Sequence, residues 1–334
     1  MGKVLILTDG KAGHENQSKA FARALGCDYD LVEVHFKSKL HKALSYLLDK
    51  LGIRALSLLQ SNNPNNSYAA VIGTGSGTFY AAKAMARKLG VKCGVVLYPR
   101  GYRLSTFDCI LAPAFDRPAK APNVIEIPAN LVANDEQFYA KGLAAFQAHY
   151  AQSNNRTIEP SEQSTNAVAV IVGGPNKCST MTPEWMKAQL DRIFAENGHP
   201  SFQSPNPVNR TIGQSNDSLF WVTTSRRTPP EVEQVVDSYP WDYKLLYSKD
   251  HFNPIPAFVK LAKRLYVTAE STGMLSEACT FGAAEVVALD NLNPGPHKFR
   301  RFVEGLTAAG YVNGRRKVDL SAQFAAARRL MGLA

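Results

Sequence analysis

The first half of the chain alternates short apolar runs with longer amphipathic stretches. Residues 4–8 are predicted to form a buried strand, followed by a helix from about Asn16 to Leu25. Further strands are predicted at 30–35, 69–73, 94–98 and 107–112, with a helix at 76–89. Apolar β runs separated by helices are typical of right-handed βαβ units, so we predict a parallel sheet with helices on its faces.

The same pattern restarts after a polar stretch at residues 152–166, which has no hydrophobic periodicity. Strands are predicted at 167–173, 219–224, 264–268 and 285–289, and helices at 183–197, 230–238 and 273–281. We therefore predict an N-terminal α/β domain at 1–152, a linker at 153–166 and a C-terminal α/β domain at 167–334. The last helix is left open to pack back on the N-terminal domain.

Residues 37–60 interrupt this alternation with a leucine stripe surrounded by positive charge. The residues at helical spacing are Leu40, Leu44, Leu47, Leu48 and Leu51, and the charges around them are Lys37, Lys39, Lys42, Lys50 and Arg54 against Asp49. One interpretation is a basic amphipathic element, at residues 37–54, on an anionic membrane surface. The other is a helix packed on its own sheet with solvated lysines. We favour the second interpretation, because most leucine stripes lie in a core.

Composition narrows the class of protein. The chain has 334 residues and a net charge of +10, most of it in the first 150 residues. Such a charge suits an anionic membrane or a phosphorylated substrate, and no nucleic-acid motif is present, so we expect no nucleic-acid partner. No apolar run approaches the roughly 18 residues of a membrane span, and no signal peptide is expected. The five scattered cysteines fit a reducing cytoplasm, so we predict a cytoplasmic protein, peripheral on the inner face of the membrane if residues 37–54 bind lipid.

The loop after the first strand, residues 8–18, is unusually rich in charge. Two glycines let its backbone turn tightly and approach a ligand closely. Its residue order is neither a P-loop nor a dinucleotide fingerprint. The alternative to a functional loop is a helix start capped by Asn16 or Ser18. We predict Asp9 and His14 as catalytic residues, and Gly10, Lys11 and Gly13 as substrate-binding residues.

A second glycine-rich turn, residues 73–78, also joins a strand to a helix. Such a turn can cradle a phosphate or a polar acceptor, although glycine-rich βα turns are also common packing devices. Arg100 follows the end of the next strand, and we expect it to aim at the same cleft. The substrate-binding residues predicted in this region are Thr74, Gly75, Ser76 and Arg100.

Three loops of the second half carry the parts of a nucleoside-diphosphate site. Residues 173–177 follow the first strand of that half and include Gly174 and Asn176. Arg226 and Arg227 stand where a strand ends and a helix begins, a place that suits a diphosphate; the alternative is a surface arginine pair. Ser271, Thr272 and Gly273 open a helix whose N–H groups can bind phosphate. Glu277 lies one turn further and can accept both ribose hydroxyls, or alternatively it caps the helix or faces solvent.

Four motifs together resemble the mitochondrial-fission Elm-type family, whose bacterial members are often labelled predicted nucleoside-diphosphate-sugar epimerases. The motifs are TDGKAGHENQS at 8–18, GGPNK at 173–177, TTSRRTP at 223–229 and N-P-x(n)-T-x-E-S-x-x-M-x-S-E-A over 253–278. The family is similar in turn to glycosyltransferase-B proteins, including the lipid II-forming N-acetylglucosaminyltransferase. In those proteins the C-terminal domain binds the nucleotide sugar and the N-terminal domain binds the acceptor, often at a membrane.

The resemblance implies roles for particular residues. Glu277 would bind the ribose, Arg226 and the turn from Ser271 to Met274 would bind the diphosphate, and His14 would be a catalytic or acceptor-contacting residue. The chain departs from the family at Glu270, where an aspartate is frequent. It also has Phe115 and Asp116 where a His-Asp pair is expected, so a catalytic role is not predicted there.

These observations predict a glycosyltransferase-B fold, with two Rossmann-like α/β domains facing a cleft. The predicted activity is transfer of a sugar from a nucleoside-diphosphate sugar, bound by the C-terminal domain, to an acceptor at the N-terminal domain. The acceptor is unknown, and a lipid-linked one is left open. We expect no metal and no cofactor. Two alternatives remain: a nucleotide-sugar epimerase of the same fold, and a non-catalytic membrane-associated binding or scaffold protein.

Overall fold

A computed structural model describes residues 2–61, 67–154, 166–199 and 218–333, and the chain divides into two compact units. The first unit comprises Met1–Ala133 and Val318–Ala334, and the second comprises Asn134–Lys317. The boundary therefore lies before helix α4, Glu136–Asn154, and not near residue 152 as the sequence suggested. Most of the predicted linker at 153–166 lies outside the described residues.

The first unit is built on a sheet with strand order β3-β2-β1-β4-β5-β6-β7. All of its strand pairs are parallel except β2 with β3, which is antiparallel. The strand β1 lies between β2 and β4, which explains its unbroken apolar run, because a central parallel strand is covered on both faces. The strands are β1 Lys3–Thr8, β2 Asp28–Phe36, β3 Leu59–Ser61, β4 Ala70–Thr74, β5 Lys92–Val96, β6 Cys109–Pro113 and β7 Val124–Ile127.

The helices of the first unit are α1 Ala12–Ala24, α2 Lys39–Lys50, α3 Phe79–Leu89 and α10 Ser321–Met331. Every side chain of α3 from Phe79 to Ala86 is buried, so this helix forms much of the core above the sheet. The last helix, α10, packs against β5, β6 and β7, and the Met331 thioether lies against Gly94 of β5. Helix α10 therefore packs back on the N-terminal unit, which the sequence analysis had left open.

The second unit contains a fully parallel sheet of strand order β10-β9-β8-β11-β12. Its strands are β8 Val168–Ile171, β9 Phe220–Thr223, β10 Tyr243–Leu245, β11 Arg264–Thr268 and β12 Glu285–Leu289. Its helices are α4, α5 Pro183–Glu196, α6 Pro230–Asp237, α7 Ile255–Leu261, α8 Thr272–Thr280 and α9 Lys298–Ala308. The loops that follow β8, β9 and β11 leave one edge of this sheet, because the three strands run in the same direction.

The predicted α/β class with parallel sheets is confirmed. The sequence pattern did not predict three short strands, β3, β7 and β10. Helix α1 begins at Ala12, earlier than the predicted start at Asn16, so His14 lies in its first turn and not in a loop. Neither Asn16 nor Ser18 caps it, since Lys11 is the residue before the first turn and makes no side-chain cap hydrogen bond.

The favoured interpretation of α2 is confirmed in that the helix packs on its own sheet with exposed lysines, but it is wrong in placing the leucine stripe in the core. The exposed fractions of Leu40, Leu44, Leu47 and Leu51 are 81%, 41%, 55% and 65%. Of the five leucines, Leu48 is partly buried and packs against the core of the first unit. The side of α2 that faces the protein carries Ser45 and Asp49, both fully buried.

Candidate functional site

The charged loop after β1 forms an aspartate–histidine pair. His14 Nδ1 lies 2.9 Å from Asp9 Oδ1 and 3.1 Å from Asp9 Oδ2, and Lys11 Nζ donates to Asp9 Oδ2 at 2.9 Å. The Asp9 side chain is almost buried, and burial alone would raise its pKa. The hydrogen bonds from Lys11 and His14 outweigh burial and hold the pKa of Asp9 below its ordinary value. Asp9 is therefore an anion at neutral pH that orients the imidazole.

The two glycine-rich turns of the first unit come together around this pair. A side-chain carbon added to Gly75 would lie 2.4 Å from His14 Cε1, and one added to Gly77 would lie 2.8 Å from Asp9 Cβ. Contacts this short do not occur between real side chains, so a side chain at either position would displace His14 or Asp9. The backbone at Gly75 also has a positive φ of 83°, which glycine adopts without strain. The glycines of the second turn thus make room for the acidic and basic groups of the first.

The remaining residues predicted in the first unit have different surroundings. Thr74 is buried, and its hydroxyl lies 2.7 Å from that of Ser18, so it joins β4 to α1 beneath the loop. Ser76 accepts a hydrogen bond from Lys42 Nζ of α2 at 3.0 Å. The Arg100 guanidinium donates to the carbonyl of Asp116, in the turn after β6. Its predicted aim at the glycine-rich turns therefore has no contact to support it.

The geometry of the pair suits proton transfer. With Nδ1–H donated to Asp9, the Nε2 atom of His14 has no hydrogen-bond partner among the residues that the structure describes. An imidazole oriented in this way can take a proton at Nε2 from a hydroxyl. The N–H groups of Ala12 and Gly13, at the start of α1, likewise have no partner within the described ranges.

In the second unit, three loops converge on Glu270, which lies after β11. The Glu270 carboxylate accepts hydrogen bonds from Gly174 N at 2.8 Å, Thr268 Oγ1 at 3.1 Å and Asn291 Nδ2 at 2.7 Å. Glu270 is 3% exposed, and burial raises its pKa despite these hydrogen bonds. Through its contact with Gly174, the Glu270 side chain reaches the loop after β8.

The loop after β9 packs directly on the loop after β8. A side-chain carbon at Gly174 would lie 2.1 Å from the carbonyl oxygen of Arg227, and Thr228 Oγ1 donates to the carbonyl of Gly173 at 2.6 Å. The side chains of Arg226 and Arg227 are exposed, and neither has a hydrogen bond or ion pair with any described residue. Arg226 lines a depression of about 510 Å³ together with Gln234, Tyr247 and Ser248.

The start of α8 offers fewer free donors than predicted. Ser271 N donates to Thr268 O and Thr272 N donates to Glu270 O, both at 3.1 Å, so these two amides close the turn before the helix. Gly273 N and Met274 N have no acceptor among the described residues. The anion-binding donors of this helix are thus the amides of Gly273 and Met274.

Glu277 is buried, which corrects its alternatives as a cap or a solvent-facing residue. Its Oε1 atom accepts hydrogen bonds from Asn134 Nδ2 and Tyr139 OH, each at 2.9 Å. Burial raises the pKa of Glu277 and also that of Tyr139. The described residues provide no partner for Glu277 Oε2, which is the atom left to bind a ligand.

Asn176 forms hydrogen bonds within its own loop. Its Oδ1 accepts from Cys178 N at 2.7 Å, and its backbone N donates to Ser179 Oγ at 2.9 Å. This is the local pattern by which asparagine stabilises a turn. Its predicted contact with a substrate remains a prediction.

Sequence reasoning missed the residues that hold these groups in place. Glu270 was noted only as a departure from a family pattern, although it joins three loops. Asn134 and Tyr139 were missed because they precede Glu277 by 143 and 138 residues. No local spacing signals such a contact. Within the described ranges, no three His, Cys, Asp or Glu side chains cluster where they could hold a metal ion.

None of the described helices combines the length and apolar character needed to cross a bilayer. No curated protein sequence matches the chain. Several solved structures do share its architecture at low identity. UDP-GlcNAc 2-epimerase from Neisseria meningitidis, bound to UDP-GlcNAc, is 13% identical with a TM-score of 0.50, and the match covers 99% of this chain and 98% of that one.

Two further structures have lower TM-scores. S. aureus MnaA, solved with UDP, is 14% identical with a TM-score of 0.45, and the match covers 100% of this chain and 90% of that one. The Streptomyces sp. SF2575 glycosyltransferase SsfS6, solved with thymidine diphosphate, is 10% identical with a TM-score of 0.41, covering 99% and 91%. Identities this low bear on fold alone, and the fold is of the glycosyltransferase-B type.

The sequence profile described as Mitochondrial fission ELM1 matches residues 12–204 and 206–327. The matched residues include α1 with His14, Glu270 and all of α8. Because this match spans nearly the whole chain, the chain belongs to the mitochondrial fission ELM1 family.

Proposed function

We propose that the second unit binds a nucleoside-diphosphate sugar and that the protein transfers the sugar to an acceptor bound by the first unit. The observation that carries this proposal is the joining of three loops: Glu270, after β11, binds the loop after β8, and the loop after β9 packs on that same loop. On these loops and at the start of α8, the guanidinium groups of Arg226 and Arg227 and the amides of Gly273 and Met274 have no partner among the described residues. Free amides at a helix start and free guanidinium groups are the donors that a diphosphate requires.

The leaving group gives these donors their role. As the bond between the anomeric carbon and the diphosphate oxygen breaks, that oxygen keeps the electron pair and its negative charge grows. Arg226, or Arg227, and the amides at the start of α8 stabilise this charge. Glu277 Oε2 accepts hydrogen bonds from the ribose hydroxyls, while its Oε1 stays bound to Asn134 and Tyr139.

His14 and Asp9 act on the acceptor. The acceptor oxygen attacks the anomeric carbon and forms the new glycosidic bond, and its proton passes to His14 Nε2. Asp9 holds Nδ1–H and stabilises the imidazolium that results. The unpaired amides of Ala12 and Gly13, and the turn around Gly75, supply contacts for the polar part of the acceptor.

Calorimetry with UDP, TDP, GDP and ADP tests the nucleotide site. We expect at least one diphosphate to bind and Arg226→Ala to weaken it by about tenfold or more, because a charge-assisted hydrogen bond is lost. The matched control is Arg315→Ala, an exposed arginine of the second unit outside the site. If none of the four nucleotides binds, or if Arg226→Ala binds as tightly as the wild type, the proposal fails.

Turnover assays separate transfer from its alternatives. Transfer predicts that a nucleotide sugar is consumed only when an acceptor is present. An epimerase would convert the nucleotide sugar without any acceptor, by elimination and re-addition of the nucleotide. A scaffold protein would leave every nucleotide sugar intact with every acceptor, and either result contradicts transfer.

A further inference from the structure

Helix α2 is amphipathic, but its apolar face is exposed and polar residues lie on its buried face. Leu40, Leu44, Leu47 and Leu51 recur at intervals of four, three and four residues, so they share one face of the helix. That face is directed away from the core, with Leu40 81% exposed and Leu51 65% exposed. Ile53, two residues after Leu51, is also exposed. We call Leu40, Leu44, Leu47, Leu51 and Ile53 the leucine face. Contiguous exposed aliphatic side chains of this kind mark an interaction surface.

Polar contacts on the opposite side fix this orientation. Asp49 accepts from Lys83 Nζ at 2.8 Å and from Arg103 N at 2.6 Å, and it forms an ion pair with Arg54 at 3.2 Å. A rotation that buried the leucine face would carry Asp49 to the surface and leave Lys83, whose side chain is 1% exposed, without its counter-ion. A buried charge without a partner is strongly unfavourable.

Aromatic packing adds to this anchor. Tyr46 stacks on Tyr102 with ring centroids 4.4 Å apart, and Ser45 Oγ lies 2.9 Å from Tyr102 OH. The outward direction of the leucine face is therefore a property of the folded unit.

The charge around the leucine face is positive. Lys37, Lys39 and Lys50 are exposed beside it, and none of their ammonium groups has a partner among the described residues. The one acid between residues 37 and 54 is Asp49, which is buried and ion-paired. Lysine side chains can lay their aliphatic stems along an apolar surface while the ammonium groups remain in water.

We propose that the leucine face inserts into the headgroup and acyl boundary of an anionic lipid bilayer, with Lys37, Lys39 and Lys50 among the lipid phosphates. An exposed aliphatic face with a lysine border matches both layers of such a surface. A second copy of the chain fits less well, because two lysine borders would oppose each other with like charge. This proposal stands on α2 alone and does not depend on nucleotide binding.

Vesicle co-sedimentation of the full chain tests the surface. The vesicles are phosphatidylcholine alone and phosphatidylcholine mixed with phosphatidylglycerol. We expect binding to the anionic vesicles only, and a loss of about tenfold or more in Leu47→Gln/Leu51→Gln, because two inserted aliphatic side chains are removed. The matched control is Tyr29→Gln/Leu31→Gln, two exposed apolar residues of β2.

A second pair of variants tests the charge. Lys37, Lys39 and Lys50 are changed together to Gln, with Lys88, Lys120 and Lys141 changed together as a control of equal net charge. We expect only the first triple variant to lose binding. Because all of these side chains are exposed, the variants should keep the thermal midpoint of the wild type, which is measured in parallel.

Four outcomes would overturn the proposal. The first is that the leucine variant binds anionic vesicles like the wild type, and the second is that the wild type binds both kinds of vesicle equally. The third is that both triple variants lose binding alike, and the fourth is that the wild type binds no vesicle while the leucine variant converts a dimer to a monomer in sedimentation. Vesicle binding without any nucleotide binding would support the membrane proposal and contradict the nucleotide proposal. The two proposals can therefore fail separately.

Discussion

Three carboxylates in this protein show how neighbours set the charge of a side chain. The pKa of Asp9 lies below its ordinary value because hydrogen bonds from Lys11 and His14 outweigh burial. The pKa values of Glu270 and Glu277 lie above theirs because burial outweighs the hydrogen bonds that they accept. Asp9 is thus suited to hold a positive partner throughout the neutral range, whereas the two glutamates carry an energetic cost when ionised.

The Asp9→Asn variant is expected to keep nucleotide affinity and to lose turnover by about a hundredfold or more, because the imidazole loses the anion that orients it. The measurement is kcat beside the calorimetric Kd of the nucleotide. Glu15→Gln, which removes only the ion pair with Lys19, serves as the control. Equal kcat in wild type and Asp9→Asn would exclude a role for the pair in proton transfer.

The Glu277→Gln variant should be more stable than the wild type at pH 8, with a difference that shrinks as the pH is lowered towards 4.5, the ordinary pKa of Glu. Because the folded pKa is raised, the folded state binds more protons than the unfolded state above pH 4.5, so wild-type stability falls with rising pH. Gln removes this dependence and can still accept from Asn134 and Tyr139 through its amide oxygen. Thermal midpoints across this pH range provide the measurement, and a constant difference would contradict the expectation.

The sequence predicted most strands of both sheets because their apolar runs are continuous, as strands covered on both faces require. The strands that it missed, β3, β7 and β10, have three or four residues and show no usable alternation. The start of α1 was misplaced because Ala12, Gly13 and His14 carry no capping side chain. Periodicity identified α2, but it could not show which side faces the protein, because that depends on Lys83 and Tyr102.

The same limit applies to the candidate site. The loops after strands were visible in the sequence, and in the second unit the structure joins the loop after β8 to the loop after β9 and to Glu270. Glu270 and Glu277 take part in the site through contacts with residues far away in the sequence. No local spacing in the sequence encodes such contacts.

Gly174→Ala is expected to weaken nucleotide binding by about tenfold or more, since the added carbon collides with the Arg227 carbonyl 2.1 Å away and must displace the arginine loop. Backbone at that distance cannot yield as a flexible side chain would. Gly305→Ala, in α9 with no atom within 4 Å of the added carbon, is the matched control. Calorimetry decides: an unchanged Kd in Gly174→Ala would mean that the two loops move without affecting the ligand.

The second unit is inserted within the first, since residues 134–317 separate β7 from α10. The closing helix α10 contributes Ala327 and Met331 to the buried core, and Met331 contacts Gly94 of β5. The stability of the first unit therefore depends on the last helix of the described chain.

Met331→Ala should destabilise the first unit by about 3 kcal/mol, because a fully buried methionine leaves a cavity above the sheet. Differential scanning calorimetry should show one transition shifted to lower temperature and the other unchanged. If a nucleotide binds the second unit as proposed, a saturating nucleotide should raise only the unshifted transition. Arg329→Ala, at an exposed position of α10, is the control, and equal shifts in both transitions would contradict independent units.

The inserted arrangement reverses the usual order of folding during synthesis. Domains generally fold as they leave the ribosome, the N-terminal one first. Here β5, β6 and β7 emerge early but lack α10, their covering helix, until the whole second unit has been made. The second unit can therefore fold while the first is still open. A chain interrupted between residues 317 and 318 would carry a finished second unit attached to an unfinished first unit, exposed to chaperones and proteases.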